Sequence, residues 1–144
     1  AVEPGREWRR ITAPLATEFP RDHGAHLDCR TEWWYATGEL ATAGGAKFGF
    51  QVTIFRQGWD PEPLPAGASP LRVKHVYAGH FALVDLATGE LVHAERLRRA
   101  TPGLAYASDT TLDTRLDSWS ITLDASGALA SPPAYAQNNG EEIV

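Results

Sequence analysis

Apolar and polar residues alternate with period two along much of the chain after residue 33. The clearest early case is KFGFQVTIFR (47–56), in which every second position is apolar or aromatic. This alternation, together with the aromatic and β-branched content, predicts a half-buried β-strand. The apolar face consists of Phe48, Phe50, Val52 and Ile54.

Other segments show related strand patterns. VKHVYAGHFALVDL (73–86) is largely apolar on both faces, which predicts a central strand covered on both sides. A tight turn, ATGE, leads from it to a partner strand at 91–98, and DSWSITLD (117–124) alternates cleanly. The stretch that starts at Trp33 connects to 47–56 through TAGGAK, a glycine-containing hairpin.

These patterns predict an all-β protein, an antiparallel barrel or barrel-like sandwich. About six strands are indicated, whereas an up-and-down barrel that holds a small ligand has about eight, so the barrel is expected to be incomplete. A short N-terminal strand or another chain would complete it, and exposed edge strands favour a homodimer. We divide the chain into an irregular segment (1–32) that packs on the barrel, a domain (33–130) and an irregular tail (131–144). Residues 60–70 form a proline-rich surface loop.

Composition narrows the classes of function. The 144 residues suffice for one domain, and the net charge of −5 with scattered basic residues argues against nucleic-acid binding. No apolar run is long enough to span a membrane as a helix. The single cysteine, Cys29, cannot form an internal disulfide. A start without methionine suggests a processed chain, secreted or periplasmic.

The candidate chemistry is concentrated in FPRDHGAHLDCRTEWWYATGEL (19–40). Glu32 directly precedes three aromatic residues, where desolvation would raise its carboxyl pKa and keep the group protonated near neutral pH. Asp22 and His23 form a candidate orienting pair. In the structural alternative, Glu32 and Asp22 bind loop backbone amides or an arginine. The arginines considered are Arg21, Arg30 and Arg56.

Two other chemistries are disfavoured. His23 and His26 could ligate a metal together with nearby aspartates, but no helix would bring both imidazoles to one face, so we expect a hydrogen-bonded loop and no metal. Cys29 is a conceivable nucleophile, although cysteines are more often buried and inert. No cofactor is expected.

The aromatic residues on the predicted strands have two interpretations. Most are expected to form the core, the usual place for aromatic residues on a sheet. If the sheet curls into a barrel, a subset would line an apolar cavity for a hydrophobic ligand. The candidate ligand-binding residues are Trp33, Trp34, Tyr35, Phe50, Tyr77 and Trp119.

The joint pattern FPRDHGAHLDCRTEWWYATGEL, KFGFQVTIFR, VYAGHFALVDLATGELVHAERLRR and LDSWSI resembles the N-terminal part of a lipocalin-like family. That family includes the carotenoid hydratases (hydroxyneurosporene synthase), kievitone hydratase and the AttH-like proteins. The resemblance runs from about Phe19 to Trp119. It implies a lipocalin-like (calycin) barrel and, in full-length members, a second lipocalin-like domain that this chain does not match.

The resemblance also implies a function. The hydratases of this family add water to an isolated double bond of an apolar isoprenoid without a redox cofactor, and related lipocalin-like enzymes cyclise polyenes. On this basis Glu32 or Asp22 would be the acid, with Trp33, Trp34 or Tyr35 facing the resulting cation. The expected function is a cofactor-free lyase or isomerase domain of hydratase type. The alternatives are a non-catalytic carrier of a hydrophobic small molecule and a docking module that requires its second half.

Overall fold

A four-stranded antiparallel sheet, in the order β1-β2-β3-β4, is the largest element of the fold. The computed structural model describes residues 7–14, 16–62, 65–69, 72–124, 126–127, 137–138 and 141–142. The strands that the alternation predicted in this part of the chain are confirmed. Part of the predicted loop at 60–70 (63, 64 and 70) lies outside the described residues. The strands are β1 (Thr31–Ala41), β2 (Lys47–Gly58), β3 (His75–Asp85) and β4 (Leu91–Arg99).

A second, three-stranded antiparallel sheet has the order β5-β6-β7, and two further short strands, β8 and β9, pair with each other. Of these five strands, β7 lies within the predicted strand at 117–124. The other four were not predicted, because strands of two to four residues are too short to show an alternation. Strands β8 and β9 lie in the stretch that the sequence analysis gave as an irregular tail. The strands are β5 (Ala105–Ala107), β6 (Asp113–Leu116), β7 (Trp119–Thr122), β8 (Gln137–Asn138) and β9 (Glu141–Glu142).

The core lies between the four-stranded and the three-stranded sheets. Alternation along β2 turns Val52 and Ile54 inward as predicted, and burial of such side chains is the main stabilising contribution. Gly79 on β3 allows the sheets to approach, because a Cβ atom there would lie 2.6 Å from Leu116 Cδ2. The other buried apolar residues of the core include Trp34, Tyr77, Phe81, Leu83, Leu112, Trp119 and Ile121.

The opposite face of the four-stranded sheet is uncovered in the described part of the chain. Strand β3 is central, as predicted, but the prediction that it is covered on both sides is wrong. Ala78 and Ala82 are half-buried and His80 is exposed on this face. Small alanines shielded only by side chains of neighbouring strands produce the apolar pattern without a second covering layer.

The fold class is confirmed as all-β and antiparallel, with no closed barrel in the described ranges. Strand β1 ends one sheet and β7 ends the other, and no described strand joins their free edges. The architecture is therefore an open lipocalin-like barrel or sandwich. Helical structure in the described residues is limited to one 3-10 turn, Arg21–His23, and none of it is long and apolar enough to cross a membrane.

Candidate functional site

The loop before β1 is held together by the carboxylate of Asp22. Asp22 Oδ2 accepts a hydrogen bond from the backbone N–H of Glu18 at 2.7 Å, and Oδ1 lies 3.1 Å from Arg21 Nη1. Oδ1 also lies 3.3 Å from His26 Nε2, and that ring nitrogen lies 3.1 Å from Arg21 Nη1. The Glu18 N–H, followed by His26 and Arg21, lowers the pKa of Asp22 below its ordinary value. Asp22 is therefore an ionised hydrogen-bond acceptor at neutral pH.

Glu32 opens β1 and has its partners on the loop and on β2. Its oxygens accept the backbone N–H of His26 at 2.8 and 2.9 Å, and Oε1 lies 2.8 Å from His26 Nδ1. Oε2 accepts from Arg56 Nη2 at 2.7 Å and from Arg56 Nε at 3.1 Å. Because its partners are mainly donors, Glu32 occupies the place of a carboxylate anion. The structural alternative of the sequence analysis, an arginine and a loop amide, describes these contacts.

Arg56 is the buried centre of this arrangement, with 0% of its surface exposed. Besides Glu32, its Nη2 donates to the backbone carbonyls of His26 at 2.9 Å and Cys29 at 2.7 Å. Its Nη1 lies 3.2 Å from Nδ1 of His75 on β3. One guanidinium therefore connects the loop, β1 and β3. A buried charge of this kind is tolerated only where its N–H groups are hydrogen-bonded.

His75 is held in one protonation state by this contact. A guanidinium can only donate, so Nδ1 of His75 must accept, and the ring proton of the neutral imidazole resides on Nε2. Burial, helped by the positive charges of Arg56 and Lys74, lowers the pKa of His75 to about 4. His75 is consequently neutral at physiological pH.

Asp22, His26 and Glu32 line an open cleft of about 440 Å³. The cleft follows the free edge of β1 near β7, where the barrel is not closed. Trp34 lies in its wall and anchors the loop, because Nε1 donates to the His23 carbonyl at 2.9 Å. The His23 ring stacks on Phe19 with centroids 4.3 Å apart. The lining residues are Asp22, His23, Gly24, His26, Thr31, Glu32, Trp33, Trp34, Tyr35, Leu112 and Ile121.

The structure divides the residues that the sequence analysis singled out. Six of the nine line this one cleft: Asp22, His23, Glu32, Trp33, Trp34 and Tyr35.

The remaining three lie elsewhere. Tyr77 and Trp119 are core residues with 3% and 0% of their surface exposed. Phe50 is half-buried and packs against that core. This is the core role that the sequence analysis expected for most of the aromatic set, and their role in ligand binding remains a prediction.

Two important residues received little weight from sequence reasoning. Arg56 was only one of three candidate partners for the acids, although it continues the apolar face of β2 at the same parity as Ile54. A charged residue at an inward position signals a buried ion pair. His26 was considered as a possible metal ligand or as part of a hydrogen-bonded loop, and its contact with both carboxylates depends on the fold of that loop. Within the described ranges, no group of three His, Cys, Asp or Glu residues is placed to hold a metal ion.

Comparison with known proteins identifies relatives of the whole segment. The sequence model of the AttH-like family matches residues 10–141. A crystal structure of a protein assigned as AttH from Nitrosomonas europaea is 35% identical and superposes with a TM-score of 0.64. The match covers 83% of this chain and 34% of that protein, so the chain spans about a third of its relative's length. No curated protein matches the chain.

Proposed function

The chain belongs to the AttH-like family, and from this premise we propose that its cleft binds an apolar isoprenoid or polyene for cofactor-free addition of water. The observation that carries the proposal is the contact of Asp22 and Glu32 with the His26 ring at 3.3 and 2.8 Å. These three side chains lie in a cleft with aromatic and aliphatic walls. An apolar ligand would pack on those walls with a double bond near the polar floor.

Hydration of an alkene makes three demands on such a site. A proton adds to one carbon, the cation left on the other carbon must be stabilised, and the attacking water must lose a proton. The Asp22 and Glu32 carboxylates suit the last two tasks, because an anion stabilises a cation and accepts a proton. His26 contacts both carboxylates, and its Nε2 also lies 3.1 Å from Arg21 Nη1, which can only donate. The proposal therefore places the proton to be donated on Nδ1, which lies 2.8 Å from Glu32 Oε1. The ring of Trp34, in the wall of the cleft, would stabilise the cation further.

This assignment differs from the role expected from the sequence for Glu32. The sequence analysis placed a neutral acid there, whereas the proposal uses Glu32 as an anion and moves proton donation to His26. His23 would keep the rim of the cleft in place through its stacking on Phe19. Its predicted partnership with Asp22 is replaced in the proposal by the contact of Asp22 with His26.

Ligand occupancy and turnover together test the proposal. Native mass spectrometry of the purified chain, followed by extraction, should recover a bound isoprenoid or polyene. Incubation of that compound with the chain should increase the mass of the compound by one water. Asp22→Asn should abolish hydration and retain binding. Glu32→Gln should abolish hydration and also weaken binding, because it leaves the buried Arg56 without its counter-charge. Glu39→Gln is a matched control, because Glu39 lies on the same strand and pairs with Lys47 outside the cleft. Full turnover in both cleft variants would overturn the catalytic assignment.

A non-catalytic carrier is the second candidate. The observation that favours it is that Asp22 and Glu32 are each already hydrogen-bonded to other groups of the protein. Carboxylates bonded in this way can have a purely structural role in the loop. A carrier would bind the polyene without hydrating it, and the carboxylate variants would then alter stability but not chemistry.

A docking module is the third candidate, favoured by the open edges of β1 and β7. An added strand from a second lipocalin-like domain would close this seam. In that case the isolated chain should neither bind nor hydrate a polyene, whereas a longer chain that contains both domains should bind it.

A further inference from the structure

The uncovered face of the four-stranded sheet carries a continuous apolar row. Trp33, Phe55, Ala78 and Leu97 are direct cross-strand neighbours, one from each strand. Trp33 and Leu97 are 58% and 63% exposed, and they lie on the two edge strands. A row of this kind at right angles to the strands presents apolar surface across the full width of the sheet.

The rows on either side are more polar and differ in charge. In the row that lies two residues away on one side, Glu95 is the charged member, with 70% of its side chain exposed. On the other side the charged member is Arg99, which is exposed and has no ion pair among the described residues. The two flanking rows are Tyr35–Thr53–His80–Glu95 and Thr31–Gln57–Val76–Arg99.

We propose that this face docks a second copy of the chain in a two-fold symmetric dimer, with the apolar rows of the two copies packed on each other. The four strands at about 4.8 Å spacing and nine shared residues at about 3.3 Å rise give a face of roughly 600 Å². Two such faces bury about 1,200 Å², above the roughly 1,000 Å² expected of a specific interface.

The charges select one of two ways to overlay the rows. If the two-fold axis runs along the row, each strand faces the same strand of the second copy. A residue two positions before the row then faces the residue two positions after the row in that copy. Glu95 then faces Arg99 of the second copy, and the symmetry makes this contact twice. If the axis runs along the strands, Glu95 faces Tyr35 and gains no opposite charge. The first arrangement is therefore the one proposed, and it differs from pairing through edge strands.

The oligomeric state in solution tests the docking surface. Analytical ultracentrifugation of the chain over a concentration series should show a monomer–dimer equilibrium. Leu97→Asp should give a monomer, because it buries a charge in the row. Leu104→Asp is the matched control: Leu104 is 53% exposed but precedes β5 and is not on this face, so this variant should dimerise normally. Circular dichroism verifies that both variants fold.

A charge exchange tests the orientation. Glu95→Arg and Arg99→Glu should each weaken dimerisation about tenfold by placing like charges opposite each other. The double variant restores opposite charges and should return to within about threefold of the wild type. A wild-type chain that stays monomeric at about 100 µM overturns the proposal. Failure of the double variant to recover overturns the proposed axis.

Discussion

Glu32 and Arg56 are cross-strand partners whose side chains meet at 2.7 Å between Oε2 and Nη2, with the guanidinium entirely buried and the carboxylate facing the cleft. The same guanidinium holds the loop carbonyls of His26 and Cys29. The position of the loop against β1 and β2, and with it the shape of the cleft, therefore depends on this ion pair.

Replacement of Arg56 should be strongly destabilising. Arg56→Met leaves the Glu32 charge without its main partner and two loop carbonyls without a donor. Loss of one member of a buried pair costs about 3–5 kcal/mol of unfolding free energy, which urea denaturation measures. Addition of Glu32→Leu to Arg56→Met should recover part of this loss, since the unpaired charge is then removed.

A surface pair provides the control for this comparison. Arg72 and Asp60 meet at the same 2.7 Å, but 46% of the Arg72 side chain is exposed. Arg72→Met should therefore cost no more than about 1 kcal/mol. Equal losses for Arg56→Met and Arg72→Met would show that the buried pair does not hold the loop.

His75 should make the protein less stable in mild acid. Its folded-state pKa of about 4 lies below the ordinary value of 6.5, so the unfolded chain binds a proton that the folded chain does not bind. The stabilisation is complete above pH 6.5 and declines as the pH falls from 6.5 to about 4. His75→Gln should flatten the unfolding free energy over this window.

Another histidine separates this effect from general acid sensitivity. His93 is exposed on β4 and does not contact Arg56, so His93→Gln is the matched control for the substitution itself. The stabilisation from Asp22, whose pKa is lowered, is complete above its ordinary value of 3.8 and is lost only as the pH falls below that value, outside the His75 window. A slope in His75→Gln equal to that of the wild type would exclude His75 as its source.

The long strands were predictable because alternation persists over enough residues to define a face. Val52 and Ile54 show this on β2, where the predicted inward face is the buried one. Strands such as β5 depend on neighbours far away in sequence, and their few residues carry no period of their own. The apolar pattern of β3 was overinterpreted, because Ala78 and Ala82 satisfy it without a covering layer.

The proximity of Asp22, Glu32 and Trp34 was predictable from the sequence, but their contacts were not. The clustering of Asp22 and Glu32 near Trp34 follows from local sequence. The partner of Glu32 is 24 residues away and is determined by strand register. From sequence alone, Tyr77 and Trp119 could not be distinguished from the cleft residues. An aromatic residue at an inward position of a sheet can belong either to a core or to the wall of a cavity.

Gly79 should tolerate no side chain. In Gly79→Ala the new Cβ would lie 2.6 Å from Leu116 Cδ2 and 3.0 Å from Trp119, both in the core. Overpacking of this kind costs about 1–3 kcal/mol, measurable by thermal or urea unfolding. Gly44→Ala is the control, because its nearest neighbour is Thr42 Oγ1 at 3.7 Å, and it should change stability by no more than about 0.5 kcal/mol.

Ligand binding can be assigned to the cleft without interference from dimerisation. In a Leu97→Asp background, Trp33→Ala should weaken binding of a conjugated polyene fatty acid about tenfold, because an aromatic wall of the cleft is removed. The fluorescence of the probe, which rises as it leaves water, gives the affinity. Trp59→Ala is the matched control, since Trp59 is 74% exposed and lines a different cleft of about 550 Å³ with Val73 and Val76. If Trp59→Ala loses binding and Trp33→Ala does not, the apolar ligand binds in that second cleft. The Asp22–His26–Glu32 group then has only a structural role in the loop.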